Sequence, residues 1–393
     1  MKKNLSTYTL IALAAGILAG LFLKPLVEQL SFIGTIYINL LKFLIGPIVF
    51  TSIVSTIYSS QGRKDRIILR AVSVYVLMFL ATFILMSLLV MVIDPARGFV
   101  FPSTEWSGTT QNLSIQEIIV NLFPSNIVSI FLETKLFAII MFAYILGIAA
   151  YRIKDGNKLI KGITILKDAF FKILEYIMYL TPLAVFSLIG NTVANYGTVI
   201  IGVGLRYIAM AYLGGLVTII FVMIVPVWIF AGIRPAEYLR KVYKVWMVSL
   251  TTCSSAATLP TTMKVCREEF GVDENIVDVV SPLGCTIHMC GGAVSFALLG
   301  LFCSRMYGIE VDLLTFIMMM ISSLLINMSA PGIPNGGVVI GATYLQLLGI
   351  PLDFIGFYSG MYKILDMLYT TLNVTGNITA NVIISETLKE KNE

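Results

Sequence analysis

Asp366, Thr370, Asn373 and Asn377 fall on one stripe of a helix with 3.6 residues per turn. They lie inside an apolar stretch, Tyr362–Ala380, which reads YKILDMLYTTLNVTGNITA. Lipid offers such groups no hydrogen bonds, so the stripe must face protein or water. An ionisable group at membrane depth costs roughly 2.5–3.5 kcal/mol on insertion scales, and it marks a pathway or a site. The chemistry of the set is recognition: a carboxylate for a cationic group, with amides and hydroxyls for polar partners. Lys363 precedes Asp366 by three residues and can meet it on one helix face. The two form an internal ion pair, or Asp366 is kept for a cationic substrate group.

Three other stretches carry groups suited to ligands. Thr251–Pro260, TTCSSAATLP, sets small hydroxyl residues before a proline. Small residues permit close backbone approach, and a helix start offers N–H groups to an anion, although Ser and Thr also serve plain helix packing. Ser329–Gly337, SAPGIPNGG, has two prolines and three glycines in nine residues. That forces unwound backbone, tolerated at membrane depth only where it lines a cavity or is buried in protein, and it suits a movable lid. Cys285–Gly292, CTIHMCGG, interrupts an apolar run and contains the single histidine, His288. A neutral imidazole can relay protons or bind metal with Cys290 as a soft ligand, or it can be a structural hydrogen-bonded group.

These residues need a membrane scaffold. Of the 393 residues 58% are hydrophobic and 12% charged, with a mean hydropathy of +0.90. Soluble domains hold about 45–50% apolar and about 25% charged residues, so the composition indicates a polytopic helical membrane protein. The net charge of +5 resides in short loops and does not indicate nucleic-acid binding. Cys253, Cys266, Cys285, Cys290 and Cys303 show no paired spacing, which argues against a disulfide framework. The opening MKKNLSTYTLIALAAGILAG has the order of a signal peptide, but its apolar run continues to about Val27, so it reads as a retained first span.

Spans of about 20 apolar residues are expected near 8–30, 33–60, 68–93, 115–151, 163–191, 198–231, 275–303 and 353–386. The interrupted stretches 237–268 and 312–349 read as hairpins that enter the membrane and leave on the same side. With both termini in the cytoplasm, the internal segments 1–7, 61–70, 152–167, 232–268 and the C-terminal tail hold 19 of the 27 Lys and Arg residues. The external loops 94–114, 192–197, 304–311 and 347–352 hold only Arg97 and Arg305, in keeping with the positive-inside bias. The last 157 residues then read hairpin, span, hairpin, span, with the halves facing opposite ways. Inverted repeats with broken elements at the midplane are a secondary-transporter architecture. No soluble domain, phosphate-binding glycine loop or ATPase motif accompanies them.

At this point the chain resembles a known family. SSAATLPTTM at 254–263, SPLGCTIHM at 281–289, PGIPNGG at 331–337 and ILDMLYTTLNVTGN at 364–377 resemble the dicarboxylate/amino acid:cation symporters, the glutamate and aspartate transporters. The resemblance runs over nearly the whole chain. It implies an all-α membrane protein of eight transmembrane helices and two re-entrant hairpins, assembled as a homotrimer in the lipid bilayer. Residues 1–235 would be mainly scaffold and trimerisation spans, with spans three and six moving with the transport domain. Residues 236–393 would form the transport core.

Carried onto matching positions, the resemblance implies that Asp366 receives a substrate amine and Asn373 its α-carboxylate, with Thr370 beside both. Ser254 and Ser255 would supply the first hairpin's contribution, Met289 would line the site, and Gly332 and Ile333 would close over the substrate. Sodium would be held through the backbone of Thr286, Met289, Asn327 and Ala330.

The departures from the family pattern carry as much information. Tyr369 stands where relatives that carry acidic substrates have an arginine, and Cys253 stands where some have another. Without a guanidinium fork a side-chain carboxylate has no bidentate partner. Cys290, Asn377 and Tyr362 stand where the family has aspartates, and hard cations prefer oxygen to sulfur or nitrogen. His288 and Lys363 are accordingly expected to assume charge roles that sodium plays in relatives, with His288, Lys363 and Asn377 joining the coupling set.

The expectation is a secondary transporter of an amino acid, neutral rather than acidic, working by alternating access in the cell (inner) membrane with sodium or proton coupling and no other cofactor. Tyr369 would touch the substrate side chain. A dicarboxylate carrier using Lys363 is the nearest rival, and a channel or transport-dead sensor is a rival from another class. An enzyme is not expected, since His288 and Cys290 two residues apart point away from each other on a helix.

Overall fold

The computed structural model describes residues 5–61, 66–98, 126–132, 136–327 and 336–389, and every regular element among them is helical. In chain order they are α1 (Leu5–Phe22), α2 (Lys24–Gln29), α3 (Ser31–Gln61), α4 (Arg66–Ile93), α5 (Ile127–Leu132), α6 (Leu136–Arg152), α7 (Gly156–Met178) and α8 (Thr181–Tyr196). Next, α9 (Val199–Thr218) runs through a π-helical turn, Ile219–Ile224, into α10 (Val225–Ala231). Then come α11 (Pro235–Thr252), α12 (Ser255–Glu268), α13 (Glu274–Ile287), α14 (Cys290–Met306), α15 (Leu313–Asn327), α16 (Gly336–Leu347) and α17 (Asp353–Lys389).

Three stretches among the described residues are long and apolar enough to cross a membrane: Ile67–Ile93, Val199–Ala231 and Glu274–Met306. Two further pairs qualify only together, Thr7–Phe22 with Lys24–Leu40, bent by 119°, and Gly156–Met178 with Thr181–Asn195, bent by 56°. The spans expected at 8–30 and 163–191 are therefore not single helices. Pro25 and Pro182 explain the breaks, since each lies within the first two residues of a new helix, where its missing N–H costs nothing. α7 also begins earlier than the expected span and is amphipathic, with Lys158, Lys161, Asp168 and Lys172 exposed. Part of the span expected at 115–151 lies outside the described residues.

α17 is the hub. It runs unbroken for 37 residues and packs against α4, α8, α9, α11, α12, α13, α14 and α16. Its polar residues are buried, among them Asp366, Thr370, Thr371, Thr375, Asn377, Thr379 and Asn381. Several hydroxyls are satisfied by the carbonyl one turn back, as in Thr371 to Met367 O (2.7 Å) and Thr375 to Thr371 O (2.6 Å). Beside it, α1 packs on α8 through small residues. A Cβ at Gly20 would lie 2.6 Å from the Gly190 carbonyl oxygen, so the pair depends on glycine to let the backbones approach.

The two interrupted stretches are both pairs of helices. α11 and α12 pack together and meet at Cys253 and Ser254. The turn is therefore tighter than the 251–260 stretch suggested, and Pro260 lies within α12. Cys253 takes the left-handed conformation (φ 48°) and closes α11 through its N–H to Ser249 O (2.9 Å). α15 and α16 form the second pair; the connection between them, including Ala330, Gly332 and Ile333, lies outside the described residues.

Candidate functional site

The break between α13 and α14, the tip of the first hairpin and the middle of α17 enclose a cavity of about 60 Å³. Cys253, Ser255, Met289, Asn327, Asp366, Tyr369, Thr370 and Asn373 line it, together with Gly292, Ser295, Phe296, Gly337, Ile340 and Tyr362. Six of the nine residues expected to touch substrate thus converge there, along with Asn327 from the coupling set.

On α17 the carboxylate is buried: Asp366 is 6% exposed, and Thr370 Oγ1 lies 3.4 Å from its Oδ1 in donor geometry. One turn further, Asn373 Oδ1 accepts from the Gly291 N–H (2.8 Å), which turns its Nδ2 donor group to other partners. The cavity thus offers a carboxyl group able to accept from an ammonium, with an amide donor beside it able to meet a carboxylate.

The hairpin tip is built by capping. Ser254 precedes α12 with extended backbone, and its Oγ accepts from the Ala257 N–H (3.2 Å). Thr258 Oγ1 donates back to Ser254 O (2.8 Å). Ser254 therefore shapes the tip while Ser255, the first residue of α12, reaches the cavity wall. Lys363 is half-buried and does not line the cavity. It extends to this tip, where its Nζ lies 3.1 Å from Cys253 Sγ.

At the helix break, Asn327 Nδ2 donates to Met289 O (2.9 Å). This joins the second hairpin to the break and uses one lone pair of a carbonyl expected to serve sodium. Thr286 lies in the last turn of α13.

His288 turns away from the cavity. It is 2% exposed and stacks on Tyr75 of α4 with ring centroids 4.6 Å apart; neither ring nitrogen has a hydrogen-bond partner among the described residues. A Cβ on residue 376 would come within 2.2 Å of its Nε2, so Gly376 makes room for the ring. Cys290 Sγ accepts from Thr82 Oγ1 at 3.7 Å. No group of three or more His, Cys, Asp and Glu residues able to hold a metal exists among the described residues.

Asn377 also departs from the shared stripe. It lies beyond the cavity and joins Tyr75, Ser281 and Asn381 in a separate cluster.

One wall of the cavity is aromatic. Tyr362 and Tyr369 line it with tilted rings 6.3 Å apart, and Tyr358 meets Tyr362 edge-on behind them at 5.2 Å. Tyr362 fills the space that a Cβ at Gly337 would need. Ser295 Oγ and Tyr358 Oη are 2.8 Å apart, and the Tyr369 hydroxyl is buried.

The sodium:dicarboxylate symporter family model matches residues 5–387. The chain belongs to this family. It is a membrane symporter rather than an enzyme. A proton/glutamate-aspartate symporter of Bacillus subtilis (strain 168) is 25% identical over 396 residues, which cover 98% of this chain and 95% of that protein. A proton/sodium-glutamate symport protein of Geobacillus stearothermophilus is 27% identical, with 100% and 96% covered. A C4-dicarboxylate transport protein of Deinococcus deserti is 25% identical, with 98% and 89% covered.

For this symporter the sequence reading missed Ser295, Phe296 and Ile340 as cavity residues. Gly292, Ser295 and Phe296 share one face of α14 at spacings of three and four, a signal that was present. It is masked by the uniformly apolar surroundings, in which such spacing equally describes ordinary core.

Proposed function

We propose that this symporter carries a neutral amino acid by alternating access. The observation that carries the reading is the cavity's lining: a buried carboxylate, Asp366, beside Thr370 and Asn373, with Tyr369, Tyr362 and Phe296 in the wall and no cationic side chain among the described lining residues. An ammonium needs the carboxylate, an α-carboxylate needs the Asn373 amide and the N–H groups at the start of α12, and a neutral side chain suits an aromatic wall.

In this reading residues 236–393 are the transport core, 1–235 are mainly scaffold within a homotrimer, and both termini are cytoplasmic. Gly332 and Ile333 close over the substrate. Coupling is to sodium through the backbone of Thr286, Met289, Asn327 and Ala330, or to protons with His288 as the group involved. The positive-inside bias and the two broken helical pairs support the topology.

A second reading, an acidic amino acid or dicarboxylate symporter, draws support from the relatives' names and from one contact. Lys363 Nζ touches Cys253, which lines the cavity, and a modest side-chain rearrangement would bring its ammonium to a second carboxylate. Uptake by the purified protein in proteoliposomes, competed by neutral and by acidic amino acids with sodium and pH gradients imposed separately, tests both readings. Competition by neutral substrates alone supports the first, and competition by aspartate, glutamate or succinate alone overturns it. Binding without translocation of labelled substrate would instead make the protein a sensor.

A further inference from the structure

Where α4, α13 and α17 meet, the family's name leads one to look for a sodium ion, and the donor set does not fit one. Asn377 Oδ1 accepts from Asn381 Nδ2 (3.1 Å) and lies 3.0 Å from Tyr75 Oη. Tyr75 Oη shares its proton between this oxygen and Val280 O (2.9 Å). Asn377 Nδ2 donates to Ser281 O (2.8 Å), and the Asn377 main-chain oxygen accepts from Asn381 Nδ2 (2.8 Å). Ser281 Oγ donates to Asn381 Oδ1 (3.3 Å). The His288 ring lies flat against Tyr75.

Tyr75, Ser281, Asn377 and Asn381 are all 3% exposed or less. Both lone pairs of the Asn377 amide oxygen are directed at protein donors, and no member of the cluster carries formal charge when the imidazole is neutral. A cation stripped of water needs converging oxygen lone pairs and, in a dry interior, negative charge to offset its desolvation. This cluster offers neither unless its hydrogen bonds break.

We propose that this junction is an uncharged hydrogen-bonded clasp that binds no alkali cation, with Asn377 as the residue that excludes it. The clasp ties the first half of the broken helix, α13, to α17 and α4 whether or not sodium is present. Any sodium that this symporter uses binds elsewhere, so it has fewer sodium-dependent steps than a chain with a carboxylate at residue 377. The proposal rests on the symporter reading only for the expectation of sodium, and its test needs no substrate. Failure to transport an amino acid would therefore leave it standing.

The test is thermal unfolding of the full-length purified protein in sodium chloride against choline chloride, for wild type, Asn377→Ala, Tyr75→Phe and Asn377→Asp. The expected result is that Asn377→Ala and Tyr75→Phe unfold at lower temperature in both salts by the same amount, leaving the sodium-minus-choline difference as in wild type. Asn377→Asp is expected to gain a sodium-specific upward shift that wild type lacks, because a carboxylate supplies the missing charge. The proposal is overturned if Asn377→Ala or Tyr75→Phe removes a sodium shift that wild type shows. It is equally overturned if Asn377→Asp elutes as a folded species and gains no sodium response. Should Asn377→Asp fail to fold, the two neutral variants decide alone.

Discussion

Lys363 Nζ lies 3.1 Å from Cys253 Sγ, so a cation on the central helix holds the turn of the first hairpin. The left-handed backbone of Cys253 (φ 48°) brings its thiol to that position. A hydrogen bond from a charged donor contributes about 1.5–3 kcal/mol where the acceptor is good, and sulfur falls toward the weak end. Cys253→Ala is expected to lower stability by about 1–2 kcal/mol, and Cys253→Ser by less, since a hydroxyl can still accept. Unfolding midpoints of the three proteins in one detergent check the order.

Lys363→Met separates the two substrate readings. If the substrate is neutral, its affinity changes by less than about tenfold, or ~1.4 kcal/mol, because the ammonium does not touch it. A larger loss confined to acidic ligands would assign Lys363 to a second carboxylate. Titrations of the purified variant with one neutral and one acidic amino acid read this directly.

Asp366→Asn keeps the shape of the site and removes its charge. Removing one partner of a buried charge pair costs about 2–5 kcal/mol, so substrate affinity should fall by roughly thirtyfold to several thousandfold. Isothermal titration, with unfolding temperature as a control for folding, is the measurement. Unchanged affinity would mean that the amine is received elsewhere.

Tyr369→Arg places a guanidinium fork in the aromatic wall. Preference should move toward acidic amino acids, with a bidentate pair contributing several kcal/mol less the cost of burying it. Competition for labelled uptake is the readout, and unaltered selectivity would remove Tyr369 from the side-chain subsite.

Ser254→Ala removes the cap of α12, whose Oγ accepts from the Ala257 N–H. A loss of about 1 kcal/mol is expected, together with weaker substrate binding because the tip is no longer held. Ser254→Asp should restore the cap, and comparison of the two variants separates capping from contact.

Much of the fold is legible because lipid forbids ambiguity: long apolar runs must be helices, and interruptions such as 285–292 must be breaks. The π-helical turn at Ile219–Ile224 and the bends after Phe22 and Met178 were less visible. A proline can start a helix as readily as end one, and apolar composition does not reveal where a pair of helices bends.

The polar stripe of α17 shows where sequence stops. Helical periodicity by itself determined that Asp366, Thr370, Asn373 and Asn377 share a direction, that the chain carries a carboxylate at its centre, and that no arginine accompanies it. Only the tertiary structure decided what each residue meets. From residue 366 to 377 the helix climbs about 16 Å at 1.5 Å per residue, and its neighbours change over that height. Asp366 faces the cavity between the hairpins, whereas Asn377 faces Tyr75 and Ser281. Lys363, three residues from Asp366, reaches Cys253 because a long flexible side chain goes where a neighbouring helix offers an acceptor. Direction along one helix is local geometry; the partner at each height depends on how the other helices pack around it.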